Sequence, residues 1–363
     1  AGQIAGLLFK PPPLASRAAR RLAPVSLPKP TGHLPVGTET FVATDPGREG
    51  RKIPVQVWYP AVASGAKAST PSTYALPATS ALLAQQFGVP VRDVRAIRTN
   101  AAARLALAHP PGRLPVVLFS PGLGVPRPLY SGLGAELASH GYVVAVMDHP
   151  GDGQLVEFPD GTTVPGPPPA DEAALTALLA TRVADARAVL DLLQRLNGQS
   201  GGRLSKALDL DRVDFVGHSF GGATAAETMR LDRRFRAGVN LDGTMSGAVL
   251  ETGLDRPFLL VSSDHPQGED DESWTAFRRH TARAREMLIA GSAHMSFTDQ
   301  PALSSLRPAA EPRDPAQLGT IEPARSFAVQ SAYVLAFLDQ QLRGTSPALL
   351  DGPSATYPEV RFG

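Results

Sequence analysis

The sequence predicts a doubly wound α/β fold, a mostly parallel central sheet with helices on both faces. Three observations carry this. Strand-like and helix-like segments alternate from Pro115 to Leu342. The runs Pro115–Ser120 and Tyr142–Met147 are apolar without interruption, as expected of parallel strands covered on both sides. A third stretch, Arg212 to Ala226, reads as a short strand, the pentapeptide Gly217-His218-Ser219-Phe220-Gly221, and a helix of small residues. That order turns a common G-x-S-x-G pattern into a nucleophile elbow, in which a serine is raised on a tight bend. Glycines on either side leave room for the bend, and the helix N-terminus behind it favours negative charge.

In chain order, residues 1 to 35 are rich in proline and arginine and read as an extended arm lying on the domain. The remainder, 36 to 363, reads as one catalytic domain without internal repeats. Two antiparallel strands are expected near Thr38–Ala43 and Ile53–Tyr59, joined by a turn at Asp45-Pro46-Gly47. Leu76, Leu82, Leu83 and Phe87, then Ile97, Ala101 and Leu105, fall at roughly helical spacing, so 73–110 is expected to be a helical insertion. The strand to Ser120 runs into the loop Pro121-Gly122-Leu123-Gly124. A helix over 129–140 leads to the strand ending at Met147. The segment 152–170 is proline-rich and is expected to cross the mouth of the site. Leu175, Leu179, Val183, Ala186, Leu190 and Leu193 give the next helix one apolar face. Further strands are expected at Ala237–Leu241, Pro257–Ser262 and Arg285–Ala290, and a final helix near Ala324–Leu342.

A chain of 363 residues with formal net charge +1 gives no electrostatic case for nucleic acid. No apolar run reaches transmembrane length. There is no cysteine, which removes disulfides, thiol nucleophiles and thiolate metal sites together. Lysine is scarce beside arginine, and alanine, proline and glycine are abundant, a bias of GC-rich bacterial genomes. The chain opens on Ala1 rather than methionine, which we read as the mark of a secreted protein whose leader was removed; Ile4–Phe9 is too short to be that leader itself.

Ligands of such sheets sit beyond the carboxyl ends of the strands. The polar residues at strand exits are Asp148 and His149, Ser219, Asp242, Asp264 and His265, and His294. A serine hydroxyl needs a base to take its proton and a carboxylate to fix the tautomer of that base. The chain order Ser, Asp, His suits an elbow enzyme. His294, in Gly291-Ser292-Ala293-His294, is the expected base. Asp242 and Asp264 both follow strands and both remain open as the acid; either would equally serve as a loop cap. The oxyanion donors are expected to be the N–H of Phe220 and one from the loop after Ser120, where Pro121 has no N–H to give, Gly122 and Leu123 do, and Leu123 suits an inward-turned loop. His218 is expected to pack or hydrogen-bond locally, His149 is a candidate to line the pocket, and His33, His109, His140 and His280 are expected to lie at the surface. Asp148, His149 and Asp152, or Asp264, His265 and Asp270, lack any recognised ligand spacing, so neither a metal nor a cofactor is expected.

Taken as a set, Leu114–Gly124, Leu129–Ala145, Val216–Thr224, Arg234–Asp242 and Gly291–Asp299, with Val57-Trp58-Tyr59-Pro60, resemble the platelet-activating factor acetylhydrolase family of the plasma and intracellular type II kind, within the α/β-hydrolases. The resemblance covers roughly residues 36–300. It implies Ser219 as nucleophile, His294 as base, Asp242 as acid, and an oxyanion hole from Leu123 and Phe220. It implies a serine esterase acting on short or oxidised acyl esters of phospholipids. A broad lipase or polyester hydrolase working on a lipid or polymer surface is the alternative, and a catalytically silent binding module is the reading of another class. Acyl transfer or peptide hydrolysis by the same nucleophile is a further reading. The family usually has histidine where this chain has Pro121. Leu123, Val125, Leu129, Leu155, Val156, Phe158, Phe220 and Met295 are the apolar candidates for an acyl site.

Overall fold

Alternate residues of the strand Leu114–Ser120 pack on opposite sides of the sheet. Val117 and Phe119 join the apolar cluster on one face, and Val116 and Leu118 join that on the other. Every position is buried, which is why no polar alternation shows in the sequence. The structure, a computed structural model, describes residues 24–63, 70–109, 112–264, 272–306 and 313–363.

Residues 24–35 lie on the domain. Leu27 is buried and its N–H donates to Arg98 O at 2.9 Å, and the Thr31 N–H donates to Glu136 Oε2 at 2.8 Å. The first part of the expected arm, 1–23, lies outside the described residues. β1 (Val36–Asp45) and β2 (Arg51–Pro60) form an antiparallel hairpin. Its turn is closed by Asp45 Oδ1, which accepts the Gly47 N–H at 2.9 Å. The segment expected to be a helical insertion is helical only in part, as α1 (Pro77–Phe87) and α2 (Val91–Arg95). Ile97, Ala101 and Leu105 do not continue a helix. Asn100 and Arg104 take positive φ, 58° and 56°. Between them β3 (Ala102–Ala103) pairs with β1, giving the sheet edge a partner it would otherwise lack.

β4 (Leu114–Ser120), α3 (Ser131–Ser139) and β5 (Val143–Met147) follow. The proline-rich loop carries a small hairpin, β6 (Val156–Glu157) and β7 (Thr163–Val164). Buried Glu157 accepts the N–H groups of Ala78 and Thr79 at 3.0 and 2.7 Å, so this loop caps α1. Next come α4 (Glu172–Gly198), β8 (Leu208–His218), α5 (Phe220–Leu231), β9 (Phe235–Leu241) and α6 (Val249–Thr252). The chain then runs through β10 (Phe258–Ser263), α7 (Glu272–His280), β11 (Ala284–Ile289), α8 (Gln300–Leu303), α9 (Pro315–Leu318), α10 (Pro323–Arg343) and β12 (Val360–Phe362).

The described strands, β6 and β7 aside, form one ten-stranded sheet in the order β12-β11-β10-β9-β8-β4-β5-β2-β1-β3. Pairing is parallel from β11 through to β5, and β2 and β12 run antiparallel to their inner neighbours. α3 and α10 cover one face with Leu133, Leu137, Tyr333 and Phe337. α4 and α5 cover the other with Val189, Leu193, Ala226 and Met229. β4 lies between β5 and β8, so the chain departs to opposite sides from this strand. The loops leaving β4 and β8 meet there, at the position where such sheets bind ligands. Among the described residues no helix is long and apolar enough to cross a membrane.

Candidate active site

β8 delivers its chain to this end of the sheet at a bend that only crowded packing can hold. Ser219 has φ 55° and ψ −128°, a conformation that costs about 1–3 kcal/mol for a residue with a side chain. Close approach requires the flanking glycines. A Cβ on Gly217 would lie 2.0 Å from Gly221 O, and one on Gly221 would lie 2.0 Å from Ser120 O. The Ser219 N–H donates to Leu241 O at 2.8 Å, tying the bend to the exit of β9. The side chain of Ser219 is half-buried at the head of α5.

The exit of β9 is itself a forced turn. Asp242 takes φ 57°, and Asn240 brackets it, accepting the Gly243 N–H at 2.9 Å and donating to Gly243 O at 2.6 Å. Trp274 Nε1 donates to the same carbonyl at 2.7 Å. The turn aims the Asp242 carboxylate at His294. Oδ2 accepts from His294 Nδ1 at 2.7 Å, and Oδ1 accepts the Ser263 N–H at 2.7 Å. The carboxylate side chain is 2% exposed and the imidazole 23%. A proton held at Nδ1 leaves Nε2 as the acceptor, the tautomer a general base needs.

Asp264 is engaged elsewhere. Its Oδ2 accepts the Gly291 N–H at 2.8 Å, and its own N–H donates to Ser292 O at 3.1 Å. It caps the loop that carries His294, the structural alternative open to it in the sequence. The loop is fixed further by Ser296 Oγ, which accepts the Ala293 N–H at 2.9 Å and donates to Leu318 O at 3.0 Å.

The loop after β4 lies against this turn: a Cβ on Gly122 would sit 3.3 Å from Ser219 Cβ and 3.1 Å from His218 Nδ1. Its amides are mostly engaged. The Gly122 N–H donates to Tyr130 Oη at 2.9 Å and the Gly124 N–H to Asp152 Oδ1 at 3.2 Å. Among the described residues the Leu123 and Phe220 N–H groups have no intramolecular acceptor. These are the two donors expected from the sequence.

His218, adjacent to the serine, does more than pack. It is fully buried beside His294, ring centroids 4.7 Å apart. Its Nε2 lies 2.9 Å from His294 O, which can only accept, so Nε2 carries the proton. Nδ1 therefore accepts from Tyr130 Oη, 2.9 Å away. The result is a chain from the Gly122 amide through Tyr130 and His218 to the backbone of His294, binding the loop of the expected oxyanion donors to the loop of the expected base. Burial, then the neighbouring His294, pushes the His218 pKa down to about 3, so the ring stays neutral. Tyr130 gave no signal in the sequence beyond an ordinary helix-start aromatic.

His149 is buried beneath the loop, with Nε2 2.9 Å from Ser120 Oγ and Nδ1 3.1 Å from Asp185 Oδ2. Ser120, His149 and Asp185 form a second Ser-His-Asp chain, but all three are closed to solvent. Burial, then the Arg182 charge, pulls His149 below its ordinary pKa. Asp148 pairs with Arg127 and Asp152 with Arg182, so guanidinium groups hold both carboxylates. His265 and Asp270 lie outside the described residues. His33, His109 and His280 are exposed and His140 pairs with Glu136.

Of the apolar residues expected at the mouth, Leu123, Val125, Leu155 and Phe220 are half-buried. Leu129, Val156, Phe158 and Met295 are core. Their apolar character follows from packing under the loops. A small gap, about 10 Å³ in volume, lies behind the β4 loop, lined by Val125, Leu155, His149 and Arg182 among others. Its walls include neither Ser219 nor His294, so it is a gap beside the site.

Strand order and elbow alike are those of an α/β-hydrolase. A ferulic acid esterase from Streptomyces cinnamoneus, solved at 2.4 Å, matches with a TM-score of 0.79 at 34% identity, covering 94% of this chain and 99% of that one. Within that class the chain belongs to the platelet-activating factor acetylhydrolase, isoform II, family, whose model matches residues 21–155 and 186–346. A probable 1-alkyl-2-acetylglycerophosphocholine esterase of Arthroderma benhamiae is 31% identical over 266 residues, covering 69% of this chain and 66% of that protein. The platelet-activating factor acetylhydrolase of Cavia porcellus is 30% identical over 220 residues, 52% of this chain and 49% of that protein. The chain thus matches less than two-thirds of the length of the first and about half of the second.

Proposed function

We propose that this chain is a metal-independent serine carboxylic-ester hydrolase. The observation that carries the reading is the Asp242–His294 hydrogen bond, its carboxylate buried, beside a serine held at positive φ. Ser219 Oγ attacks the ester carbonyl as His294 Nε2 takes its proton. The negative charge that forms on the carbonyl oxygen is met by the free N–H groups of Leu123 and Phe220, each such donor typically worth about 3–4 kcal/mol. His294 then protonates the leaving alcohol, and water, activated by the same ring, frees the acyl group from Ser219. Asp242 holds the tautomer and offsets the imidazolium charge.

We take short or oxidised acyl esters of phospholipids as the substrate class. The support is membership of the family and the acetyl-ester names of two relatives. The end-to-end match to a ferulic acid esterase favours a second reading, small aromatic esters, because it spans a far larger share of its partner than the phospholipid relatives do. The test is labelling by a fluorophosphonate probe, then turnover of acetylated phospholipid, ethyl ferulate and a p-nitrophenyl ester series. Labelling lost in Ser219→Ala, with acetyl esters turned over fastest, supports the proposal. Faster ethyl ferulate hydrolysis selects the second reading. Folded wild-type protein that takes no label favours a silent binding module and ends the enzyme reading.

A further inference from the structure

α4 turns an apolar face to the core, yet two charged residues, Arg182 and Asp185, are buried with it. Arg182, between Leu179 and Ala186, has a side chain only 1% exposed. A buried guanidinium is costly to desolvate, and an apolar side chain of similar size would pack at least as well. Its use is therefore to be sought in what its donors hold. Nε and Nη2 engage the Asp152 carboxylate. Nη1 donates to Pro121 O at 2.8 Å and Nη2 to Gly122 O at 3.2 Å. The guanidinium also lies over the Phe220 ring, 4.9 Å from its centroid. Two of its hydrogen-bond partners are backbone carbonyls of the loop after β4. A third is Ser120 Oγ at the end of β4, 3.5 Å from Nη1, and the fourth, Asp152, accepts the Gly124 N–H of that same loop.

The consequence follows from peptide geometry. No described peptide bond is cis. In a planar trans peptide the carbonyl of one residue and the N–H of the next point in opposite directions. Arg182 holds the Gly122 carbonyl, so the Leu123 N–H must face away from the guanidinium. Arg182 also holds the Pro121 carbonyl, while Tyr130 holds the Gly122 N–H on the other edge of that peptide. Both peptide planes leading into Leu123 are fixed, and Asp152 fixes the one leading out.

We propose that Arg182, braced by Asp152, is a positioning residue for the oxyanion hole. It aims the Leu123 N–H and, through its stacking on Phe220, steadies the residue that supplies the second donor. Arg182 lies in the stretch 156–185 between the two segments matched by the family, so the role is read from this chain's own packing. The inference rests on the proposed function above, in which those two amides meet the oxyanion. A lysine in this place would keep the charge, but an ammonium cannot hold two carbonyls and a carboxylate in one plane.

The experiment uses the full chain. The active sites of wild type, Arg182→Gln, Arg182→Lys and Asp152→Asn are counted by titrating a portion of each to completion with a fluorophosphonate, so that every rate of the untreated remainder refers to a counted active site. Hydrolysis of p-nitrophenyl acetate and inhibition by a trifluoromethyl ketone, whose adduct carries an oxyanion, are then measured. A misaimed donor should lower kcat per site by about 10- to 100-fold in Arg182→Gln, short of the roughly 10²–10³ for outright loss of a donor, with KM within about 2-fold. The inhibition constant should weaken by the same factor, Arg182→Lys should recover only part, and Asp152→Asn should move the same way. A merely structural role would lower Tm and the labelled fraction yet leave kcat per site and the inhibition constant at wild-type values, and that result overturns the proposal. If Arg182→Gln does not fold, Arg182→Lys and Asp152→Asn decide by the same readouts. Wild-type protein that cannot be labelled at Ser219 removes the underlying enzyme reading. Labelled wild type with fully active Arg182 variants removes this inference alone.

Discussion

Replacing Asp242 by asparagine tests the acid assignment without removing bulk. Each carboxylate oxygen has a donor: the Ser263 N–H at Oδ1 and His294 Nδ1 at Oδ2, both at 2.7 Å. An amide has only one acceptor atom. If its oxygen stays on the Ser263 N–H, its NH₂ faces Nδ1, which must then give up its proton. The proton moves to Nε2, and the ring can no longer act as base. The flipped amide would set NH₂ against the Ser263 N–H and leave a buried donor unmet, at about 1–3 kcal/mol. At about 1.4 kcal/mol per decade that favours the inactive tautomer by roughly 5- to 100-fold. The imidazolium also loses its neighbouring charge as it forms. Together these should lower kcat by about 10⁴-fold while the fold persists. The assay is ester hydrolysis per folded protein, with Asp264→Asn as comparison. Asp264 only caps the His294 loop, so its variant should lose Tm and stay within about 10-fold of wild-type kcat. The reverse pattern, Asp264→Asn crippled and Asp242→Asn active, would refute the reasoning.

Other expectations follow from the same geometry. Ser219→Gly should abolish turnover, by about 10⁶-fold, yet raise Tm by about 1–2 °C, because glycine relieves the positive-φ strain that Ser219→Ala retains; a lower Tm in the glycine variant contradicts the strain. His218 has a folded pKa near 3 and an unfolded pKa near 6.5, so below about pH 6.5 the unfolded chain binds the extra proton. Its contribution to stability is complete above that pH and declines by about 1.4 kcal/mol per unit as pH falls toward 3. Denaturant unfolding across this window should show His218→Gln with a shallower slope than wild type, and identical slopes would count against a buried neutral ring. Gly221→Ala drives a Cβ to 2.0 Å from Ser120 O and should shift the β4 exit, lowering both Tm and ester turnover. Glu157→Gln should weaken the cap of α1 by about 1 kcal/mol, read as a lower denaturation midpoint at unchanged cooperativity.

What the sequence could disclose depended on how far apart the cooperating atoms lie along the chain. The central strands were legible because both faces are buried, and a short continuous apolar run such as Val143–Met147, bounded by turn residues, suits a strand covered on both sides. The elbow was legible because its steric demands fall on Gly217 and Gly221, close neighbours of the serine. The stretch from Ile97 to Leu105 misled, since residues buried at an irregular sheet edge repeat at intervals that mimic a helix turn. The choice of acid stayed open on spacing alone, because both aspartates follow strands. What separates them is the left-handed backbone of Asp242, held by the Asn240 bracket on Gly243. That bracket is local, and an asparagine three residues before a glycine is a signal that could have been used.

Tyr130, Arg182 and Asp152 left no such trace, and the reason bears on how the site works. Each is ordinary in its own segment: an aromatic before a short helix, an arginine in a long one, an aspartate in a loop. Their partners are backbone atoms of Pro121, Gly122 and Gly124, which any side chain that arrives could engage. Backbone atoms carry no identity in a sequence, so contacts with them cannot be read from residue types. Yet a hole made of N–H groups can be aimed only by gripping the backbone that bears them. The groups that determine where Leu123 and Phe220 point are therefore those least visible before folding. Ser219 and His294 could be proposed from the sequence, and Asp242 only through the family resemblance, whereas the groups proposed to aim the amides required the packed sheet.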